Sequence, residues 1–188
     1  ERMIVNNFHA MEFIFENRGA PLNNDFILSL HKMITENTLD ETKDEGVFRD
    51  GDVDILSATQ KVIFSPISNI AKMNKMIEHL YRYVNTINSD FEDEYIEPLY
   101  KAISFHFLYG FIHPHFDGNG RTLRVLFTHL LGSYGYDMFY YISLSEVINT
   151  STKLKKEYEV AFINVENNAL DMTYFIYYIQ NIMIKALE

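Results

Sequence analysis

His113-Pro-His-Phe-Asp-Gly-Asn-Gly-Arg-Thr-Leu-Arg124 places imidazoles, a carboxylate, a Gly-Asn-Gly turn and two arginines within twelve residues. Pro114 biases His113 away from the right-handed helical region, so the helix leading into this stretch is predicted to stop near Gly110. Gly118 and Gly120 permit the dihedrals of a tight turn. Beyond it Leu123, Leu126, Phe127, Leu130 and Leu131 recur at i, i+3, i+4, i+7 and i+8, which predicts a buried helix beginning near Gly118. A glycine-bearing turn that opens a helix leaves backbone N–H groups pointing at one spot, and the helix dipole makes that spot an anion site. Arg121 and Arg124 stand three apart on neighbouring positions of one helix face, within reach of a phosphate chain. Asp117 offers oxygens suited to a hard cation such as Mg²⁺. His113 is the group expected to titrate near neutrality.

Outward from this stretch the chain is mostly helical. Upstream, Leu99, Ala102, Ile103, His106 and Phe107 mark the lead-in helix. Ile70, Met73, Ile77, Leu80 and Val84 mark another, ending near Asn88-Ser89-Asp90. Phe48–Leu56 and Lys61–Phe64 read as two short β segments around Ser57-Ala58-Thr59-Gln60. Before them, Phe26, Ile27, Leu30, Met33 and Ile34 form a helical stripe capped by Asn23 or Asn24. Ile4, Phe8, Met11 and Phe15 form the first stripe, stopped at Gly19-Ala20-Pro21. Downstream, Gly132 to Gly135 end the motif helix. Ser143–Asn149 and Lys153–Val165 read as shorter helices, and Met172, Phe175, Ile176, Ile179, Ile182 and Met183 as the last. The expected fold class is all-α, a helical bundle carrying one β-hairpin.

With 188 residues, 47% of them hydrophobic, the chain supports one domain, 1–188, with a real core. A net charge of −10 argues against nonspecific nucleic-acid binding, which needs a basic surface. There is no cysteine, hence neither a disulfide framework nor a thiolate nucleophile, and a cytoplasmic location is expected. No apolar run is long enough to span a membrane. Glu1 in place of an initiating methionine suggests a fragment of a longer chain.

Spacing alone leaves more than one chemistry open. His113, His115 and Asp117 form His-x-His-x-Asp, superficially the metal-binding start of metallo-β-lactamase-like hydrolases. That reading needs further ligands and a many-stranded αββα sandwich, and the strands are absent from the pattern. His106, on an apolar stripe, reads as a core histidine satisfied by a hydrogen bond. The blander reading of Asp117-Gly-Asn-Gly is a helix cap, with the arginines as surface ion-pair donors. Against it stands the coincidence of all these groups in one segment, which favours a phosphate site.

At these residues the chain resembles the Fic domain family, whose signature is His-x-Phe-x-(Asp/Glu)-Gly-Asn-Gly-Arg-x-x-Arg. His113, Asp117, Gly118, Asn119, Gly120, Arg121 and Arg124 match it. Gly46-Val-Phe-Arg49 followed by Asp52 to Leu56 resembles the family's flap, approximately 46–65. One position departs: His115 replaces the motif Phe, with Phe116 after it. Either His115 serves in the core as a neutral imidazole or Phe116 swings in. If the position faces the core, His115→Phe should preserve or raise stability.

The resemblance implies a protein adenylyltransferase, moving AMP from ATP to a Ser, Thr or Tyr hydroxyl of a target protein. His113 would be the base and Asp117 the Mg²⁺ ligand. Gly118, Asn119, Gly120, Arg121 and Arg124 would hold the phosphates. Val53, Asp54, Ile55 and Leu56 would close over the nucleotide and add a strand from the target, with Tyr158 as a wall for the adenine. It also allows transfer of phosphocholine or phosphate, removal of AMP, or a non-catalytic nucleotide-binding module. Relatives are commonly restrained by a glutamate in (Ser/Thr)-x-x-x-Glu-(Gly/Asn) that pairs with the second arginine. Here Glu16, Glu36, Glu45 and Glu166 precede Gly or Asn, and none has Ser or Thr four residues earlier. An inhibitory helix is therefore expected upstream in a longer chain or on a partner.

Overall fold

The computed structural model describes residues 1–56, 60–86 and 96–188. At its centre are α4 (Pro98–Ile112) and α5 (Asn119–Ser133), packed on each other and joined by the motif turn. Both are apolar on nearly every side. Ala102, Ile103, Phe105, Phe107 and Tyr109 of α4 are inaccessible to solvent, and α5 buries a run from Leu123 to Leu131 broken only by Arg124 and Thr128. A helix hydrophobic all round belongs inside, and the others surround this pair.

On one side lie α1 (Arg2–Glu16) and α2 (Asn24–Thr35), both touching α5. Asn23 caps α2, its side chain accepting from the Phe26 N–H at 2.9 Å. α3 (Ile70–Asn85) packs on α4 and buries Met73, Ile77, Leu80 and Val84 of the predicted stripe, with Ile70 half-buried at its start. Its predicted end near Asn88-Ser89-Asp90 lies outside the described residues. α6 (Leu144–Asn149), α7 (Thr152–Asn167) and α8 (Thr173–Leu187) close the other side, capped in turn by Ser143 and Ser151 for the first two. Two single 3₁₀ turns, Thr42–Asp44 and Asp137–Tyr140, had no sequence signal. The architecture is an all-α bundle with one antiparallel hairpin, as expected. Among the described residues no helix is long and apolar enough to cross a membrane.

Three local expectations are corrected. α1 turns Asn6, Ala10 and Ile14 inward, whereas Ile4 and Phe8 of the predicted stripe are 75% and 59% exposed. Asn6 fixes that rotation by donating to the carbonyls of Ile34, at 3.3 Å, and Glu36, at 2.8 Å, at the open end of α2. The hairpin is shorter than predicted: β1 (Ile55–Leu56) pairs with β2 (Val62–Phe64), Ile55 opposite Phe64 and Leu56 opposite Val62. Residues 48–54 do not extend β1, because the backbone there bonds elsewhere, the Arg49 N–H donating to the Pro114 carbonyl at 2.8 Å. Of the predicted turn, Ser57, Ala58 and Thr59 lie outside the described residues. Finally, α4 runs to Ile112, two residues beyond Gly110.

Candidate active site

The last turn of α4 closes with the His113 N–H on the Tyr109 carbonyl at 3.0 Å, and His113 itself is left-handed, φ 51° and ψ 63°. The expectation of an extended residue before Pro114 is thus corrected: what holds is only that the right-handed helix cannot continue. A β-carbon residue in this region is strained by about 1–3 kcal/mol and persists only where its surroundings fix it. Arg49 supplies the fixing. It is 1% exposed, and its Nε donates to the His113 carbonyl at 2.8 Å, Nη1 to Gly51 at 2.8 Å and Nη2 to Ile67 at 2.6 Å. One guanidinium therefore ties both ends of the flap to the helix end where carbonyls and the dipole are negative.

The His113 ring is held at Nδ1, which donates to the Gly110 carbonyl at 3.3 Å. A carbonyl only accepts, so the proton sits on Nδ1 and Nε2 carries the lone pair. Burial pushes this imidazole down to about 4; the Gly110 contact raises it, the Arg49 charge lowers it and Asp117 raises it. His113 is therefore neutral at physiological pH, a correction to the expectation of titration near neutrality. Burial is the cause, and no local sequence signal reports burial.

His115 resolves the departure from the motif in favour of the core imidazole. It is inaccessible to solvent and stacks on His31 with centroids 3.7 Å apart and planes 4° from parallel. Nδ1 donates to the Val47 carbonyl at 2.6 Å, and Nε2 accepts from the Tyr109 hydroxyl at 2.7 Å. With both nitrogens engaged inward, His115 presents no ligand atom to a His-x-His-x-Asp metal site. Asn119 brackets the same residue, accepting from the His115 N–H at 3.0 Å and donating to its carbonyl at 2.7 Å. The Asn119 side chain thus builds the turn, leaving only its backbone to face a ligand. His115→Phe would leave the Tyr109 hydroxyl buried without a partner, at about 1–3 kcal/mol before the gain from the ring, and would take its donor from the part-buried Val47 carbonyl. The expectation of preserved stability is reversed: the melting temperature should fall by about 4–8 °C. A Tyr109→Phe change should cost less in the His115→Phe background than in wild type, because one orphan goes with it; an unchanged melting point for His115→Phe would refute both statements.

Gly118 opens α5 at φ 79°, with no side chain to cap the helix. The first-turn N–H groups of Asn119, Gly120 and Arg121 have no intrahelical acceptor, the arrangement that receives an anion. Asp117 is exposed beside them, Oδ1 accepting from the Gly118 N–H at 2.5 Å and Oδ2 3.7 Å from Arg121. Among the described residues no group of three His, Cys, Asp or Glu is arranged to hold a metal ion. A lone outward carboxylate next to a phosphate-type nest fits Mg²⁺, which takes one or two carboxylates with phosphates and water.

The two arginines diverge. Arg121 donates to the Thr38 hydroxyl at 2.9 Å and the Ile34 carbonyl at 3.4 Å, so it also closes the end of α2. The Arg124 guanidinium makes no hydrogen bond or ion pair among the described residues, and burial and Arg121 lower its pKa while Tyr158 raises it. Both border a cleft of about 240 Å³ whose walls include Asn7, His106, Tyr141 and Ser145. Tyr158 is not among its walls: its hydroxyl meets His106 Nε2 at 2.7 Å. That contact makes His106 a core histidine bonded at Nε2, whereas its buried Nδ1 has no partner, so the expectation of a satisfied core histidine holds for one nitrogen only. The flap residues Val53, Asp54, Ile55 and Leu56 do not border the cleft either. Asp54 accepts from Ser65 at 2.6 Å across the hairpin, and Phe64 packs on Phe111 with centroids 5.2 Å apart.

The model of the Fic/DOC family matches residues 21–131. This chain belongs to that family. Its fold is similar to a Fic family protein from Desulfovibrio desulfuricans G20, at TM-score 0.79 and 22% identity, covering 98% of this chain and 51% of the other. A Fic domain containing signaling protein from Bacteroides thetaiotaomicron VPI-5482 matches at 0.76 and 24%, covering 99% and 69%. Fic-1 from C. elegans matches at 0.69 and 17%, covering 99% and 49%. The chain thus spans about half the length of the first and third. No curated protein matches it. Two residues that carry no sequence motif, His31 and Thr38 on and just beyond α2, touch the motif stretch at Asp117 and Arg121.

Proposed function

We propose that this member of the Fic/DOC family is a Fic-type transferase that moves AMP from ATP to a Ser, Thr or Tyr hydroxyl of a target protein. The observation that carries this is His113: its Nδ1 proton is fixed on Gly110, its Nε2 is an available base at neutral pH, and it stands one turn from the free amides that open α5. Nε2 takes the hydroxyl proton as the target oxygen bonds to the α-phosphorus, and the bond from that phosphorus to the bridging oxygen breaks, releasing pyrophosphate. The amides of Asn119, Gly120 and Arg121 hold phosphate oxygens, and Arg124 takes the leaving end. Asp117 would hold Mg²⁺, which when bound neutralises charge on the phosphates. The exposed hairpin edge, with Leu56, Val62 and Ile63 all about half exposed, adds a strand from the target.

A second part of the proposal concerns restraint. The Arg124 guanidinium lacks a partner among the described residues, while the candidate glutamates are placed elsewhere: Glu36 pairs with Arg2, and Glu45 accepts from the Asn37 N–H at 2.7 Å. A carboxylate from a helix outside this stretch, in a longer chain or on a partner, would pair with Arg124 and compete with the γ-phosphate for it.

Label transfer separates the reactions. With α-³²P-ATP, protein labelling that disappears on magnesium chelation is expected, with none from γ-³²P-ATP. Label from γ alone would mean phosphorylation, and label from neither would mean another donor or a binding module.

A further inference from the structure

We infer that His31 is a positioning residue that sets the phosphate-binding turn and the root of the flap relative to one another. It rests on the reading of residues 117–121 as the phosphate site, and it comes from contacts that no motif encodes. His31 is inaccessible to solvent on α2. Its Nε2 lies 2.9 Å from the Asp117 carbonyl, and its Nδ1 accepts from the Gly46 N–H at 2.9 Å. A carbonyl can only accept and an N–H can only donate, so one neutral tautomer, protonated on Nε2, satisfies both partners at once. The ring thus joins Gly46, where the flap begins, to Asp117, the last residue before the amides that receive phosphate.

The surroundings leave the ring no other place. Thr35 donates to the His31 carbonyl at 2.6 Å, one turn along α2. The His115 ring lies flat against it at 3.7 Å, itself tied to Val47 next to Gly46. A β-carbon on Gly118 would come within 3.0 Å of His31 Nε2 and 2.6 Å of Thr35 Cγ2, so His31 and Thr35 form the floor on which the turn sits. At Gly46, which His31 ties, and at Gly118, which follows the tied Asp117, φ is 71° and 79°, where only glycine adopts the backbone freely. A backbone so permissive needs an external reference, and His31 supplies one reference for both. Phosphoryl transfer depends on placement, and a displacement of about 1 Å at the reacting centre can cost about 10²-fold in rate.

Glutamine and asparagine divide the two roles. In His31→Gln the side-chain amide reaches the Nε2 position and can still donate to Asp117, while Gly46 loses its acceptor. In His31→Asn the carbonyl oxygen occupies the Nδ1 position and keeps Gly46, while Asp117 loses its donor. In the full chain, His31→Ala is expected to lower kcat/KM for ATP in label transfer by about tenfold or more. It should also speed amide exchange at Gly46 and at Gly118 and Thr122, the bonded amides of the turn. His31→Gln should restore most of the transfer and the exchange protection of Gly118 and Thr122 but leave Gly46 fast; His31→Asn should do the reverse. If His31→Ala does not fold, the Gln and Asn pair still decides the matter. The inference is overturned if Gln and Asn give the same exchange pattern, or if transfer in all variants follows melting temperature alone. Wild-type protein that transfers no label would instead refute the AMP-transfer reading, while the exchange pattern would still judge His31.

Discussion

Replacing His113 with alanine is expected to lower AMP transfer by about 10²–10⁴-fold, the usual contribution of a positioned general base. Calorimetric affinity for Mg·ATP should stay within a few-fold of wild type. The two expectations follow from separate structures. Proton removal needs Nε2 of one ring, oriented through Nδ1 on Gly110. Anion binding needs the first-turn amides of α5 and the two arginines, none of which depends on that ring. His113 is also left-handed, so alanine combines loss of the base with a backbone cost. Asparagine tolerates this conformation well, which makes His113→Asn the cleaner variant: it keeps the turn and removes the base. Equal inactivity of both variants, with nucleotide binding retained, is the expected result. Recovery of transfer in His113→Asn, or loss of binding in both, would mean that His113 shapes the loop rather than accepting the proton.

How far the sequence carried this reading depends on where each feature is encoded. The helices were legible because burial follows their period: α5 buries its predicted stripe, and α8 buries Phe175, Ile179, Ile182 and Met183 of its own, with Ile176 and Met172 only half-buried. α1 misled because it has apolar residues on two faces, and the choice between them was made by Asn6 bonding to the end of α2, a contact across 28 and 30 residues. Residues 48–54 looked extended and alternating, but Arg49 was drawn into the α4 terminus, and a buried cation satisfied only by carbonyls has no spacing signature. The motif brings His113, Asp117 and the glycines together as one cluster because they are contiguous. It could not show that Asn119 faces inward or that Arg121 closes α2, since both depend on what packs against the turn. His31 stayed invisible for the same reason: on α2 it reads as one more position between Leu30 and Ile34.

Acid is expected to unfold this protein well above the range in which carboxylates titrate. His31, His106, His113, His115 and His129 are all held below their ordinary value, in every case chiefly by burial, His106 to about 3 and His113 to about 4. In the unfolded chain each binds a proton near pH 6.5. As pH falls from 6.5 toward 4 the unfolded state therefore carries protons that the folded state refuses, so stability is fully present above about 6.5 and is lost through this window. For His106 and His113 the loss at pH 5 is about 2 kcal/mol each, from 1.5 pH units at about 1.36 kcal/mol per unit. The other three act in the same direction, and the first two alone, about 4 kcal/mol together, approach the lower end of a domain's stability of about 5–15 kcal/mol. Relief of the net charge of −10 on acidification opposes this, but repulsion among exposed charges is screened by salt and the burial of five imidazoles is not. The melting temperature should thus be level from pH 8 to 7 and fall steeply below 6.5, and transfer should fail with the fold before His113 is protonated. In His106→Gln the slope should drop by about one proton. A melting temperature unchanged between pH 7 and 5.5 would show that the buried imidazoles are not kept neutral by the fold.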